Sequence, residues 1–183
     1  MFTGREFFEW LGKDSLGVPY YLHLLNHRWS PNGVEHDLQV YRSAADRLRT
    51  EPDLWASILR GALSWRGTLV GCACLLLTRE RGFLSELTEV FEHGSMVQPQ
   101  IAVTIALLHP AEARIFFEEF LRSAKPQISA RAVVSAQRVL QRLGALADSD
   151  VRLSGWANER QTDDALLANQ VAIQHWDFWA SRL

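Results

Sequence analysis

Three runs of small and apolar residues recur at nearly constant spacing through the middle of the chain. The run at 69–77 matches a second run at 101–109 after 32 positions, and Ala132 in a third run, at 131–140, follows Ile101 after another 31. Repeats of this length correspond to one helical hairpin each. Stacked hairpins bury a core that no single hairpin could bury alone, so the spacing predicts an α-solenoid.

The segments between these runs carry bulky apolar residues that repeat at a constant spacing of 33: Phe83, Leu84 and Leu87 correspond to Phe116, Phe117 and Phe120. Small residues on one helix allow close approach, and bulky residues on the next fill the space between layers. The tetratricopeptide and ankyrin signatures are absent, which favours a HEAT-like array. The alternative is an irregular helical bundle whose amphipathic helices merely resemble one another.

Helical periodicity extends over almost the whole chain. Apolar positions recur every three or four residues, sustained alternation is absent, and the short breaks contain Gly, Pro, Ser, Asn or Asp. Pro110 fits the first turn of a helix and requires the preceding helix to end near Leu108 or His109. The predicted helices cover 4–12, 19–28, 34–49, 53–63, 66–78, 81–93, 98–108, 111–124, 129–143 and 162–181.

The predicted fold is therefore all-α, a short α-solenoid of HEAT-like hairpins with atypical capping helices at both ends. A single domain is expected over 1–183, with core repeats at about 53–145 and caps at 1–50 and 155–183. A chain of 183 residues has room for one hydrophobic core without disulfides or metals.

The charge and hydropathy of the chain indicate which classes of molecule it is expected to bind. A net charge of -2 gives no overall positive field to attract nucleic acid or an anionic membrane. The longest apolar runs are far shorter than the roughly 20 residues of a membrane span, and no signal peptide is evident at the N-terminus. We expect a cytoplasmic protein that does not bind membranes and for which nucleic acid is a less favoured partner than another protein; its oligomeric state is open.

The residues from Ser64 to Gly71, with Phe83 in the next helix and Glu119-Phe120-Leu121 closing a later one, carry a resemblance. They resemble a bacterial family of unknown function with a Trp-Arg-x-x-Leu-x-Gly-Ala core. The upstream 18–21 segment is similar to the aromatic opening helix of that family, so the resemblance covers about 18–145.

That resemblance implies a HEAT-like fold. Because some members lie near polymorphic toxin genes, it also implies an immunity protein. The family shows a Tyr-Asp-Gln tripeptide near the third repeat, where this chain has 128–131 (Ile-Ser-Ala-Arg) instead. Any function that the tripeptide carries would be absent here.

The sequence offers little for catalysis. His23 and His27 are four apart and would share a helix face, which is a possible metal geometry, but no zincin glutamate follows His23. A packed or exposed helix face is the favoured interpretation. Cys72 and Cys74 lie in an apolar helix, a poor setting for a nucleophile. We expect no catalytic residue, no metal and no cofactor, and hence no enzyme.

Charge is unevenly distributed along the chain. From Glu80 to Glu119 there are seven acids against two arginines, and from Arg122 to Arg142 there are five basic residues and no acid. One interpretation is a partner-binding surface formed by Glu86, Glu89, Glu118, Glu119, Arg131, Arg138 and Arg142, the arginines forming one helix stripe. The other is that these charges are solvated or pair within the fold.

Arg66 is a separate expectation. It lies at a predicted helix start, where a positive charge opposes the helix dipole, so we expect it to have a carboxylate partner.

Three functions follow from these patterns. The leading hypothesis is an immunity protein that binds and neutralises a cognate toxin, whose basic domain would contact an acidic patch of Glu86, Glu89, Glu118 and Glu119. The second is a general scaffold or adaptor in a larger assembly. The third, less favoured, is a helical-repeat enzyme that processes nucleic acid and binds DNA through the arginine stripe.

Overall fold

Helices account for 73% of the residues that a computed structural model describes, which are 4–26, 29–61, 64–123 and 128–183. Within those ranges the structure contains ten α-helices, one 3-10 turn at Asp148–Asp150 and no strand, apart from an isolated bridge between Lys13 and Pro19. The helices are α1 (Gly4–Leu11), α2 (Tyr20–Asn26), α3 (Val34–Arg49), α4 (Pro52–Leu59), α5 (Trp65–Thr78), α6 (Leu84–His93), α7 (Gln98–Leu108), α8 (Pro110–Ser123), α9 (Ala130–Arg142) and α10 (Glu159–Ala180). The predicted all-α class is confirmed.

Helix boundaries follow local chemistry. Pro110 opens α8 directly after α7 ends at Leu108, as predicted. α6 begins at Leu84, later than predicted, because the Glu80 carboxylate accepts the backbone N–H groups of Arg81 and Gly82 and holds a turn there. α10 begins earlier than predicted.

The early start of α10 has a capping residue as its cause. The Asn158 side chain accepts the backbone N–H of Gln161, which satisfies one of the free donors of the first turn.

The helices form two layers through the middle of the chain. α3, α5, α7 and α9 each pack against the next and form what we call the inner row. α4, α6 and α8 form the outer layer, since α4 contacts α3 and α5, α6 contacts α4 and α7, and α8 contacts α7 and α9. Within the outer layer, Phe91 of α6 makes edge-on contacts with Phe117 and Phe120 of α8, at 5.2 and 5.1 Å between ring centroids.

α5 and α7 lie at the centre of the protein. Every residue from Gly67 to Leu76 in α5, and from Gln98 to Ala106 in α7, is buried. Their small residues allow this close packing. At Gly71 an added Cβ would lie 2.8 Å from the Leu59 Cδ2 atom of α4. One continuous core contains residues from α1 through α10.

α10 lies along the inner row. It packs against both α7 and α9, with Ala165 and Ala168 clustered against Ala130 and Val134 of α9. Its far end reaches the N-terminal part of the chain, where the ring of Phe178 stacks on Trp29 at 4.6 Å. The segment expected to cap the array beyond α9 therefore also covers α7. No described helix combines the length and apolarity that crossing a bilayer would need.

Candidate protein-binding surface

α6 and α8 are both amphipathic, and their polar sides are rich in carboxylates. Their apolar residues, such as Leu87 and Phe91 on α6 and Phe117 on α8, point into the core. The opposite sides carry six carboxylates, which we call the acidic face: Glu86, Glu89, Glu92, Glu112, Glu118 and Glu119.

On α6, one arginine forms ion pairs with two of these carboxylates. Arg60, in the turn after α4, lies 3.0 Å from a Glu86 oxygen and 3.3 Å from a Glu89 oxygen. Glu86 also accepts the hydroxyl of Ser85, and its side chain is only 13% exposed, whereas that of Glu89 is 54% exposed. Glu86 is thus mainly an internal contact between α4 and α6, and Glu89 is available to solvent.

On α8, the two predicted acids pair within their own helix. Glu118 lies 2.9 Å from Arg114, and Glu119 contacts Arg122. All four side chains are at least 40% exposed. Exposed pairs of this kind are worth about 0–1 kcal/mol, so a partner can displace them at little cost.

Two further carboxylates extend this surface. Glu92 and Glu112 are exposed and form no ion pair with any residue that the structure describes. Both belong to the acidic stretch from Glu80 to Glu119 but not to the predicted site residues. The signal for Glu112 lies in spacing, because Glu112, Ile115 and Glu119 are three and four apart and form one stripe on α8.

The three predicted arginines occupy another part of the protein. Arg131 lies 2.8 Å from Asp164 and donates to the carbonyl of Met96, while Arg142 lies 2.9 Å from Asp177. Asp164 and Asp177 belong to α10, so the stripe lies at the contact between α9 and α10.

Arg138 is the most buried of the three arginines, with 10% of its side chain exposed. It donates to the Asn169 side chain at 2.7 Å and pairs with Asp148 at 2.6 Å. The structure therefore places the four predicted acids on α6 and α8 of the outer layer and joins the arginines to neighbouring acids within the fold.

An apolar groove runs between α6 and α8 beside the acidic face. Its volume is about 600 Å³, and Leu84, Thr88, Ile115 and Phe116 contribute to its walls. Ile115 is 71% exposed, whereas the other apolar anchors of α8 are partly or fully buried. We call this feature the α6–α8 groove.

A second groove of about 520 Å³ lies at the end of the hairpins, between the turns that precede α5 and α7. Arg60, Trp65, Glu89, His93 and Met96 are among its lining residues. Because Arg60 is paired with two carboxylates, its charge is already compensated there.

The residues that carry the family resemblance meet beside this groove. Tyr21 packs edge-on against Trp65 at 6.0 Å, and the Arg66 guanidinium lies over both rings, 4.7 Å from Trp65 and 5.5 Å from Tyr21. The carboxylate expected for Arg66 is not found among the described residues, because the side chain makes cation–π contacts instead.

Nucleophilic and metal-ligating groups are buried or dispersed. Cys72 and Cys74 have no exposed surface, and burial raises the pKa of Cys72 to about 12 and that of Cys74 further still. Both thiols are therefore protonated at neutral pH. Among the described residues no three His, Cys, Asp or Glu side chains cluster as metal ligands.

Of the two histidines with a possible metal geometry, His23 and His27, the structure describes only His23. His27 lies outside the described residues, and His23 lies 3.2 Å from the buried carboxylate of Asp14. Burial alone would raise the pKa of Asp14, but the backbone N–H groups of Val18 and Leu16 and the nearby His23 together lower it.

No family model, curated protein or solved structure matches the chain. The acidic face and the α6–α8 groove are the features of the described residues that best fit recognition of another molecule.

Proposed function

We propose that this chain is a HEAT-like helical-repeat protein of the immunity type, which binds and neutralises a cognate bacterial toxin in the cytoplasm. The acidic face is the observation that carries the proposal. It presents exposed carboxylates from two consecutive hairpins, on α6 and α8 of the outer layer, and these would attract a basic protein domain.

The sequence repeat supports a HEAT-like arrangement of the helices. The matched runs of the sequence fall on α5, α7 and α9, which are successive members of the inner row. The matched bulky residues fall at or near the start of α6 and within α8, both in the outer layer. Solenoids of this kind use extended helical surfaces to bind other proteins.

Electrostatics supports a basic partner. Glu92 and Glu112 lack ion partners among the described residues, and Glu118 and Glu119 have only exposed ones. Complementary charge accelerates association and excludes wrongly charged partners more than it adds affinity. A toxin domain that binds nucleic acid carries basic charge of the kind that this surface would attract.

The test begins with the partner. The tagged protein is purified from its native host and co-purifying proteins are identified by mass spectrometry. The proposal expects a protein whose expression alone arrests growth of a laboratory host, and whose toxicity disappears when this chain is expressed with it. A partner without toxicity would favour the adaptor function instead.

The surface is tested by charge reversal at exposed acids. Glu112→Lys with Glu119→Lys should slow association with that partner about tenfold or more at low salt, and less at high salt. Glu86 is avoided, because its side chain is only 13% exposed and a lysine there would be held against Arg60 inside the fold. The matched control, Asp150→Lys with Asp163→Lys, changes the net charge equally, away from the acidic face. Equal association rates for the two double variants would refute the acidic face as the binding surface.

A further inference from the structure

Ile115 is exposed in a place where the helix pattern would usually put a polar residue. It lies on the outward stripe of α8 between Glu112 and Glu119, and 71% of its surface is accessible. It is the most exposed large apolar side chain among the described residues except Leu16, which is in a turn. Ile115 also borders the α6–α8 groove.

The α6–α8 groove gives Ile115 apolar neighbours. Phe116 and Leu84, both half-buried, and the Thr88 side chain line the same depression of about 600 Å³. A depression between two helices, open to solvent and apolar at its floor, has the shape in which an amphipathic helix buries its apolar side.

The charges around the groove specify what can enter it. Glu112 lines the groove without an ion partner among the described residues, and Glu119 lies one helical turn beyond Ile115 on the same stripe. Glu92 lies one turn beyond Thr88 on α6. Among the described residues, Arg81 is the one arginine that lines the groove. An apolar floor with acidic edges complements a segment whose apolar residues are flanked by lysine or arginine.

We infer that the α6–α8 groove binds a basic amphipathic helix of the partner protein. The apolar side of that helix inserts between Leu84, Ile115 and Phe116, and its basic residues lie against Glu112 and Glu119. This inference rests on the proposed function, since it names the segment of the partner that the acidic face receives.

A second copy of this chain is a poorer occupant. In a symmetric dimer the same surface faces itself, so that Glu112 and Glu119 of one copy would approach those of the other. Like charges in such an interface oppose association.

The experiment uses two labelled peptides of equal charge. One is an amphipathic helix of leucine and lysine, and the other has its leucines replaced by serine. Fluorescence anisotropy against the full chain should show the leucine peptide binding about tenfold or more tightly than the serine peptide. Ile115→Ser should remove that advantage, while the matched control Leu166→Ser, at an exposed leucine of α10, should preserve it.

The outcomes separate this inference from the proposed function. If Ile115→Ser leaves the advantage intact while Glu112→Gln with Glu119→Gln weakens both peptides, the groove inference fails and the acidic face stands. If neither peptide binds at low salt, both fail. Concentration-dependent dimerisation that Ile115→Ser abolishes, measured by sedimentation, would also overturn the inference in favour of self-association.

Discussion

Single residues decide how closely the central helices pack. Gly71 is the last residue of the Trp-Arg-x-x-Leu-x-Gly core, and the structure gives it a steric role. Its missing side chain lets α5 approach α4, where Leu59 has no exposed surface and Ile58 lies within 3.5 Å of the position of a Cβ. Gly71 therefore contributes to the motif through the packing of α5 against α4.

This contact predicts a compensating pair of substitutions. Gly71→Val should destabilise the protein by about 1–3 kcal/mol through overpacking, and Leu59→Ala by about 2–5 kcal/mol through loss of buried surface. In the double variant the valine occupies space that the leucine vacates, so its cost should be less than the sum. Urea unfolding of the four proteins measures the coupling. Strict additivity would contradict the close contact.

At the scale of elements, α9 pairs with α10, and the predicted arginine stripe makes ion pairs within the fold. The arginines of the stripe meet Asp148, Asp164, Asn169 and Asp177. These partners are about 10 to 35 residues away in sequence. Spacing along a helix shows which residues share a face, but it does not show which other helix that face meets.

Burial predicts unequal roles for two of these arginines. Arg138→Met should lower the free energy of unfolding by about 2 kcal/mol, because it removes a mostly buried guanidinium. Asn169 then loses its hydrogen bond from Arg138, and Asp148 loses its ion pair. Arg142→Met, the matched control, should cost about 0.5 kcal/mol, since the Arg142 side chain is 30% exposed, against 10% for Arg138, and its pair with Asp177 is more open to solvent. Chemical denaturation measures both values, and equal losses would contradict the assigned difference in burial.

Most helices were predictable because their apolar residues repeat at helical spacing and their breaks carry turn residues. The starts of α6 and α10 were not, since they depend on side chains capping particular backbone groups. The acidic face was partly predictable, because Glu118 and Glu119 lie on an outward helix face. The burial of Glu86 against Arg60 was not, as it depends on the packing of α4 beside α6.

At the scale of the whole molecule, other helices surround the two central helices, α5 and α7. α5 contacts α2, α3, α4 and α7, and α7 contacts helices of both layers and α10. The two thiols of α5 lie within this core and are fully buried. Access to them requires that neighbouring helices separate.

Thiol labelling should therefore report large-scale opening. In the folded protein Cys72 and Cys74 should resist a thiol reagent at mildly alkaline pH, and the labelling rate should rise with urea in parallel with unfolding. Mass spectrometry of the labelled protein measures this rate. Rapid labelling of either cysteine without denaturant, at a rate that urea does not change, would show that the core opens locally around α5.

The position of α10 has a consequence for synthesis. α7 and α9 leave the ribosome before the helix that covers them, and the ring of Trp29 is translated some 150 residues before its stacking partner Phe178. Until then the nascent chain presents apolar helix surface to the cell, where holding chaperones bind. This fold is therefore completed only after α10 has been synthesised, and the yield of the protein in a cell depends on how well the exposed surface is protected until then.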